Sequence, residues 1–229
     1  MSHHFRQTCA PWAIASAIGL ALASPLTSVL AQSPSTAPAA AAAVQAAEPD
    51  AFIKRITDEV FATVKADKGI QQGDLRKVQA MVESKILPNV NLQRMTSAAV
   101  GRPWRQATPE QKQRLQSEFK TLLIYTYAGA AAQIKDQTIE YRPMRSRPED
   151  TEVIVRTLVR NKGDTIQLDY RLERAEGSWK IYDVNVLGAW LVQTYQSSFA
   201  QEVSASGIDG LIAKLVERNK QLAARKVAG

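Results

Sequence analysis

The sequence predicts an α+β domain in which a curved antiparallel sheet of four strands is covered by about six helices. Three observations predict this fold. Apolar residues recur at helical spacing from residue 50 to about residue 132. They then alternate with polar residues in four segments that are bounded by turn-forming residues. A helical pattern returns after Gly188, and runs of helices followed by runs of strands are typical of α+β domains.

The first two predicted helices are recognised by their ends and their apolar faces. The first covers residues 50–69 and is expected to stop at Gly69. The second starts at Asp74, which is a natural N-cap, and ends before Pro88. Each presents one apolar face, formed by Ile53, Ile56, Val60 and Val64 in the first and by Leu75, Val78, Val82 and Ile86 in the second.

The next two helices have stronger start signals. Asn91 can cap a short helix that stops at Gly101. Thr108, Pro109 and Gln111 form a capping box with proline in the first helical position, which predicts the start of a long helix. The apolar face of this helix carries Leu115, Phe119, Leu122 and Thr126, with Leu123 and Tyr127 beside them.

Four segments read as strands: Gln137–Met144, Thr151–Asn161, Asp164–Arg174 and Ser178–Leu187. Tight turns at residues 162–163 and 175–177 join the last three strands into a meander. The third strand alternates apolar and polar residues, which indicates an antiparallel sheet with one covered face.

Two further helices are predicted after the sheet. Gly207 ends the first and Asp209 caps the second. Their apolar faces carry Leu191, Tyr195, Phe199 and Val203, and then Leu211, Leu215 and Leu222. A curved sheet with helices on its concave face forms a cone, and such cones commonly enclose a cavity.

The N-terminal segment predicts export. One arginine, Arg6, precedes an uncharged apolar run that ends at Ala31 with small residues in the positions that signal peptidase reads. We therefore predict a cleaved signal at residues 1–31, with an uncleaved anchor helix as the alternative. Residues 32–49 are rich in Ala and Pro and predict a disordered lead-in, and the domain itself is expected to cover residues 50–226.

Removal of the signal would also remove Cys9, His3 and His4, which are the only cysteine and histidines of the chain. The remainder would lack disulfides, thiol nucleophiles, Ser–His–Asp triads and metal sites with His or Cys ligands. It would carry 28 Lys and Arg against 22 Asp and Glu, a net charge of +6. That charge favours anionic lipid surfaces or acidic proteins as partners, while export argues against nucleic acid. Because the chain shows no coiled-coil heptad, we expect a monomer.

The strands offer the lining of an apolar pocket. A pocket that binds an apolar ligand needs a dry lining. We expect the lining to include residues of the strands and helices that are apolar or aromatic: Trp104, Leu122, Tyr125, Ile139, Tyr141, Val153, Val155, Ile166, Leu168, Tyr170, Leu172, Tyr182, Val184 and Val186. The alternative for each of them is ordinary core packing.

Asp183 supports a competing hypothesis. A buried Asp can act as a general base, with Tyr170 or Tyr182 as an oxyanion donor, in enzymes built on cones of this kind. Alternation along the strand predicts instead that Asp183 shares a face with Trp179 and Ile181 and pairs with an arginine. A third hypothesis is a protein-only adaptor that carries no cargo.

Several segments together resemble the MlaC, or toluene-tolerance, family. The resemblance covers nearly the whole domain and is carried most specifically by the run from Gly101 to Gln111 together with Trp179–Val184. The similar segments are residues 86–128, the strand GSWKIYDVNVLG at residues 177–188, and LVQTYQSSFAQEV with SGIDGLIAKL at residues 191–215. One turn departs from the usual Glu-Gly-x-Ser of the family, because Leu187-Gly188-Ala189-Trp190 stands there.

The resemblance implies a nuclear-transport-factor-like cone that holds a phospholipid by its acyl chains. It also implies a soluble periplasmic carrier that shuttles lipid between an outer-membrane lipoprotein complex and an inner-membrane ABC transporter, and so maintains outer-membrane asymmetry. The phospholipid would be cargo, and no cofactor, metal or catalytic residue is expected. A hopanoid or another apolar lipid is the alternative cargo.

Overall fold

The computed structural model describes residues 48–134, 136–147, 149–161 and 163–227. The predicted signal and almost all of the predicted lead-in lie outside these residues. Within them, the chain forms six α-helices and one sheet, which confirms the α+β class. The elements are α1 Pro49–Ala66, α2 Lys68–Gln71, α3 Leu75–Met81, α4 Leu92–Val100, α5 Pro109–Ala132, β1 Thr138–Tyr141, β2 Glu152–Asn161, β3 Asp164–Ala175, β4 Ser178–Val186, β5 Ala189–Trp190 and α6 Leu191–Val227.

The predicted starts of three helices are confirmed by their hydrogen bonds. The carboxylate of Asp74 accepts from the backbone N–H of Arg76 at 2.9 Å. Asn91 Oδ1 accepts from the N–H of Arg94 at 2.9 Å. In the capping box, Thr108 Oγ1 accepts from the N–H of Gln111 at 3.2 Å and the Gln111 side chain accepts from the N–H of Thr108 at 3.0 Å.

Thr108→Ala is expected to lower the free energy of unfolding by about 1 kcal/mol, because the first turn of α5 loses its side-chain acceptor. Urea unfolding followed by circular dichroism measures this change. Thr126→Ala is the matched control, since Thr126 is an exposed threonine within the same helix. Equal losses in the two variants would show that the capping box contributes nothing.

Two helix ends differ from the sequence prediction. The first helix ends at Ala66, before Gly69. Gly69 lies inside α2, which begins because the Asp67 side chain accepts from the N–H groups of Gly69 and Ile70. Gly207 interrupts α6 with φ 72° and ψ −173°, as the sequence predicts. Asp209 was expected to cap the following turn, but its carboxylate accepts from Gln111 Nε2 at 2.8 Å and ties α6 to the start of α5.

The sheet has the strand order β1-β2-β3-β4-β5, and every neighbouring pair is antiparallel. The predicted four strands were therefore one too few. The missing strand, β5, has only two residues, which is too short for an alternation pattern. It follows a two-residue turn in which Leu187 and Gly188 have φ of 55° and 90°, as hairpin turns of the primed types require.

A β-bulge divides the alternation of β4. Leu172 lies opposite Ile181 while Arg171 lies opposite Asp183, so Tyr182 is an extra residue between two regular stretches. Asp183 therefore lies on the face opposite to Trp179 and Ile181, and the prediction that they share a face was wrong. We call the face that carries Val155, Tyr170, Leu172, Ile181 and Val184 the inner face, and the face that carries Arg156, Asp169, Arg171, Tyr182 and Asp183 the outer face.

The apolar core of the described residues contains three clusters. The smallest joins α1, α2, α3 and α5 through Val64, Ile70, Val78, Met81 and Ala128. In the sheet cluster, Phe52, Ile53 and Ile56 of α1 pack on the buried part of the inner face, which comprises Val155, Tyr170, Leu172, Trp179 and Ile181. In the helical cluster, α4, α5 and α6 pack together through Met95, Ala99, Val100, Leu115, Phe119, Leu122, Phe199, Leu211 and Leu215. Val90 packs against both clusters. Among the described residues, the helical cluster contains no strand side chain.

Candidate functional site

The inner face of the sheet is unevenly covered. Under α1 it is closed: Leu172 is fully buried and Tyr170 is 8% exposed. Further along the same face, Leu168, Val184 and Val186 are half-buried, and Ile166 at its end is 37% exposed. The register places Leu168 directly opposite Val186. The apolar surface therefore continues beyond the region that α1 covers.

The sheet brings most of the predicted lining residues together on this inner face. Cross-strand neighbours share a face in an antiparallel sheet. By that register, the inner-face members of the predicted set are Ile139, Tyr141, Val153, Val155, Ile166, Leu168, Tyr170, Leu172, Val184 and Val186.

The three predicted lining residues outside the strands belong to the helical layer. Leu122 is buried in the helical cluster, and Trp104 packs against that cluster. Tyr125 is half-buried on α5. These three side chains are therefore in a different layer from the strand residues.

Tyr182 does not join the others, because the bulge turns it to the outer face. Its ring lies under the guanidinium of Arg94, at 3.7 Å from the ring centroid. Its hydroxyl donates to Glu152 at 3.1 Å. Arg94 also donates to Glu152 at 2.6 Å and to Glu173, so this group connects α4 to the sheet.

Acidification is expected to weaken the connection between α4 and the sheet. The hydrogen bond from Arg94 lowers the pKa of Glu152 from its ordinary value of 4.5. A carboxyl whose pKa is lowered on folding contributes stability above its unfolded pKa, and that stability is lost as the pH falls through the folded value. Glu152→Gln should remove this part of the pH dependence of the urea midpoint below about pH 5. Arg94→Gln should remove at least as much of this pH dependence. An unchanged pH dependence in either variant would show that the Arg94–Glu152 pair does not cause it.

Hydroxyl groups interrupt the inner face without adding charge. The hydroxyls of Tyr141 and Thr57 lie 2.6 Å apart, and Thr157 Oγ1 donates to the carbonyl of Leu168 at 2.5 Å. Burial raises the pKa of Tyr170 well above its ordinary value and also raises the pKa of Tyr141. Both phenols therefore stay protonated and neutral at physiological pH.

Asp183 is a structural anchor by its contacts. Its Oδ1 accepts from the N–H groups of Val184 at 2.9 Å and Val192 at 3.1 Å, and its Oδ2 accepts from Arg171 at 3.0 Å. Arg171 in turn lies 3.9 Å from the centroid of the Trp190 ring. Burial raises the pKa of Asp183. The sheet separates Asp183 from Tyr170, which lies on the inner face. Tyr182, the other predicted oxyanion donor, lies on the outer face with Asp183, but its hydroxyl donates to Glu152.

Sequence reasoning missed the helical side of the inner face. The stripe on the first helix was recognised, but nothing in it indicated that Phe52 and Ile56 would lie on the sheet. Likewise, Phe119 forms an edge-to-face pair with Tyr195 at 5.1 Å and another with Phe199 at 5.3 Å. A helical period shows which side chains share a face but not which layer that face meets.

Two cavities lie away from the predicted lining. An open groove of about 570 Å³ runs between the start of α5 and the second half of α6, with a mostly apolar wall surface edged by charged side chains. A smaller cavity of about 210 Å³ lies at Arg142, Arg156, Thr157, Leu158, Gln167 and Asp169. Within the described ranges, no cluster of acidic, Cys or His side chains could hold a metal ion. None of the described helices is long and apolar enough to cross a membrane.

Comparisons with known proteins agree on one family. Residues 54–217 match the family described as "MlaC protein". The intermembrane phospholipid transport system binding protein MlaC of Haemophilus influenzae is 21% identical over 183 residues, which cover 78% of this chain and 86% of that protein. The toluene tolerance protein ttg2D of Pseudomonas putida is 25% identical over 167 residues, covering 72% and 78% of the two chains.

A solved structure is also similar. It is a phospholipid-binding protein from Ralstonia solanacearum in complex with a phospholipid, and it is 47% identical with a TM-score of 0.75. The similarity covers 77% of this chain and 99% of that one. Because the family match extends over most of the chain, from α1 into the second half of α6, this protein belongs to the MlaC family.

Proposed function

We propose that the protein is a periplasmic phospholipid carrier. It holds the acyl chains of its cargo between the inner face of the sheet and the helical cluster, and leaves the head group in water. It moves lipid between an outer-membrane lipoprotein complex and an inner-membrane ABC transporter, without a cofactor and without chemistry of its own. The proposed lining is formed by the inner-face members of the predicted set, together with Trp104, Leu122 and Tyr125. The strand residues that α1 leaves partly exposed contact the tail, and Val155, Tyr170 and Leu172 support them under α1.

The observation that carries this proposal is the uncharged inner face. From Val153 to Val159 and from Ile166 to Leu172, every inner-face position is apolar, a threonine or a neutral tyrosine. Half of this surface packs under α1, and the half around Leu168, Val184 and Val186 is only partly buried. A surface of this kind suits an apolar chain that is bound and released.

The energetics favour a carrier of this design. Burial of a methylene group is worth about 0.8 kcal/mol, so one tail of about 16 carbons avoids a cost of about 13 kcal/mol when it crosses water inside a protein. The sheet cluster and the helical cluster are separate groups that share Val90 as a neighbour, and the proposal puts the tail between them. A tail inserted between them would complete the packing of both layers.

The similar proteins support the same cargo. The relative from Haemophilus influenzae is named as a binding protein of intermembrane phospholipid transport, and the similar protein from Ralstonia solanacearum was solved with a phospholipid bound. Our proposal extends this cargo to the present chain.

Solvent extraction followed by mass spectrometry tests the proposal. The protein, purified from the periplasm of a Gram-negative host without detergent, is expected to release phospholipid in a fixed molar ratio. N-terminal sequencing of the same sample should find Gln32 first if the signal ends at Ala31. A protein that is free of lipid would favour an adaptor. A hopanoid in the extract would show that the cargo is a hopanoid and not a phospholipid.

A further inference from the structure

The outer face of the sheet holds a buried acid that the proposed function does not use. Asp169 is only 3% exposed. Its Oδ2 accepts from Gln167 Nε2 at 2.6 Å. Its Oδ1 is buried and has no hydrogen-bond partner among the described residues. Burying a carboxylate oxygen without a hydrogen-bond donor costs free energy. A bound ligand that donates a hydrogen bond to Oδ1 would remove this cost.

The same acid lines the cavity of about 210 Å³ together with two arginines. Arg156 lies directly opposite Asp169 on β2, and the chain leaves β1 at Arg142, whose backbone N–H donates to the carbonyl of Arg156 at 2.9 Å. Both arginine side chains are exposed, whereas Asp169 is buried, and Arg142 also pairs with Glu140 at 3.6 Å. The site therefore has its negative charge at depth and its positive charges at the rim.

This order of charges selects a class of ligand. A group that enters with a primary ammonium first would donate to Asp169 Oδ1, and a phosphate one short link behind it would reach the arginines. A cavity of 210 Å³ has room for about seven waters at about 30 Å³ each, or for a small organic group of similar volume. We infer that this cavity is a binding site for phosphoethanolamine chemistry, that is, a primary ammonium linked to a phosphate.

The site lies on the other side of the sheet from the proposed acyl-chain surface, so it goes beyond the proposed function. Phosphoethanolamine occurs both as a lipid head group and as a free metabolite. As a head group, it carries its ammonium at the outer end, its phosphate next and its tails behind. The deep carboxylate and the rim arginines match that sequence of groups. Binding of either form would give the carrier a second contact with lipid chemistry, separate from its cargo.

Titration calorimetry with the purified protein tests the site. Phosphoethanolamine should bind about tenfold or more tightly than phosphocholine, because a trimethylated ammonium has no N–H to donate to Asp169. Asp169→Asn should reduce the preference to near unity. Arg156→Gln should weaken both ligands and leave the preference in place. Arg160→Gln is the matched control, because Arg160 is on the same strand and face but pairs with Glu140.

Vesicles distinguish the two sources of the ligand. Recruitment to phosphatidylcholine vesicles only when they contain phosphatidylethanolamine would assign the site to a membrane head group, and binding of the free ligand alone would assign a soluble source. Equal affinity of the wild type for phosphoethanolamine and phosphocholine, or an unchanged preference in Asp169→Asn, would overturn the inference. So would the absence of both binding and recruitment. Lipid extraction scores the proposed carrier function separately, so either idea can fail alone.

Discussion

Leu168→Asp is expected to reduce the phospholipid that co-purifies with the protein about tenfold or more, while the domain stays folded. Leu168 is half-buried in the part of the inner face that α1 does not close. A carboxylate there can keep its hydration when no tail is present. It would lose that hydration when a tail covers the site, so the substitution acts on the loaded protein more than on the empty one. Lipid per mole of protein, measured by mass spectrometry after extraction, reports the effect.

The structure also decides where the substitution should be made. Tyr170 was an equal candidate by sequence, but it is buried in the sheet cluster, and an aspartate there would unfold the domain. The matched control is Ile154→Asp, since Ile154 is also half-buried on a strand but lies on the outer face, opposite Arg171. This control should keep a normal lipid load. A normal load in Leu168→Asp, or an equal loss in the control, would show that the inner face does not hold the tails.

Asp183→Ala is expected to lower the free energy of unfolding by about 3 kcal/mol. The change removes the acceptor of three hydrogen bonds, from Arg171, Val184 and Val192, and so releases the start of α6 from β4. Asp183→Asn should cost less, because its amide oxygen can still accept from the two backbone groups. Urea unfolding measures both variants.

Asp150→Ala is the control for this prediction. Asp150 pairs with Arg147 at 3.2 Å near the surface, and its loss should cost much less stability than the loss of Asp183. An Asp183→Ala variant with normal stability would remove the anchoring role and return Asp183 to the list of candidate catalytic residues. The expected instability, with the lipid load of Asp183→Asn unchanged, would assign it to the fold.

The helices could be predicted from the sequence because their capping signals act between residues that are close in the chain. Asp74, Asn91 and Thr108 cap helices because each acceptor lies within three residues of the N–H that it satisfies, and that distance is visible in the chain. The alternation of β3 likewise follows from the pleat of a single strand. The α+β class needed nothing beyond these short-range signals.

The site needed information that is not local. The bulge that sends Tyr182 and Asp183 to the outer face depends on how β4 pairs with β3, and no residue type marks it in the sequence. The two-residue strand β5 exists only because β4 is there to pair with it. Asp169 looked like an ordinary polar residue on the wet face of a strand, yet the structure buries it. The sequence therefore predicts most of the apolar inner face, but not which polar side chains are buried on the outer face.

The most direct test of the carrier is to locate the acyl chain. A phospholipid with a diazirine at the end of one tail can be loaded into the protein, photolysed, and mapped by peptide mass spectrometry. Crosslinks should fall on the inner face at Leu168, Val184 or Val186 and on the helices that face it. Crosslinks on the outer face, or in the groove between α5 and the second half of α6, would contradict a tail held between sheet and helices.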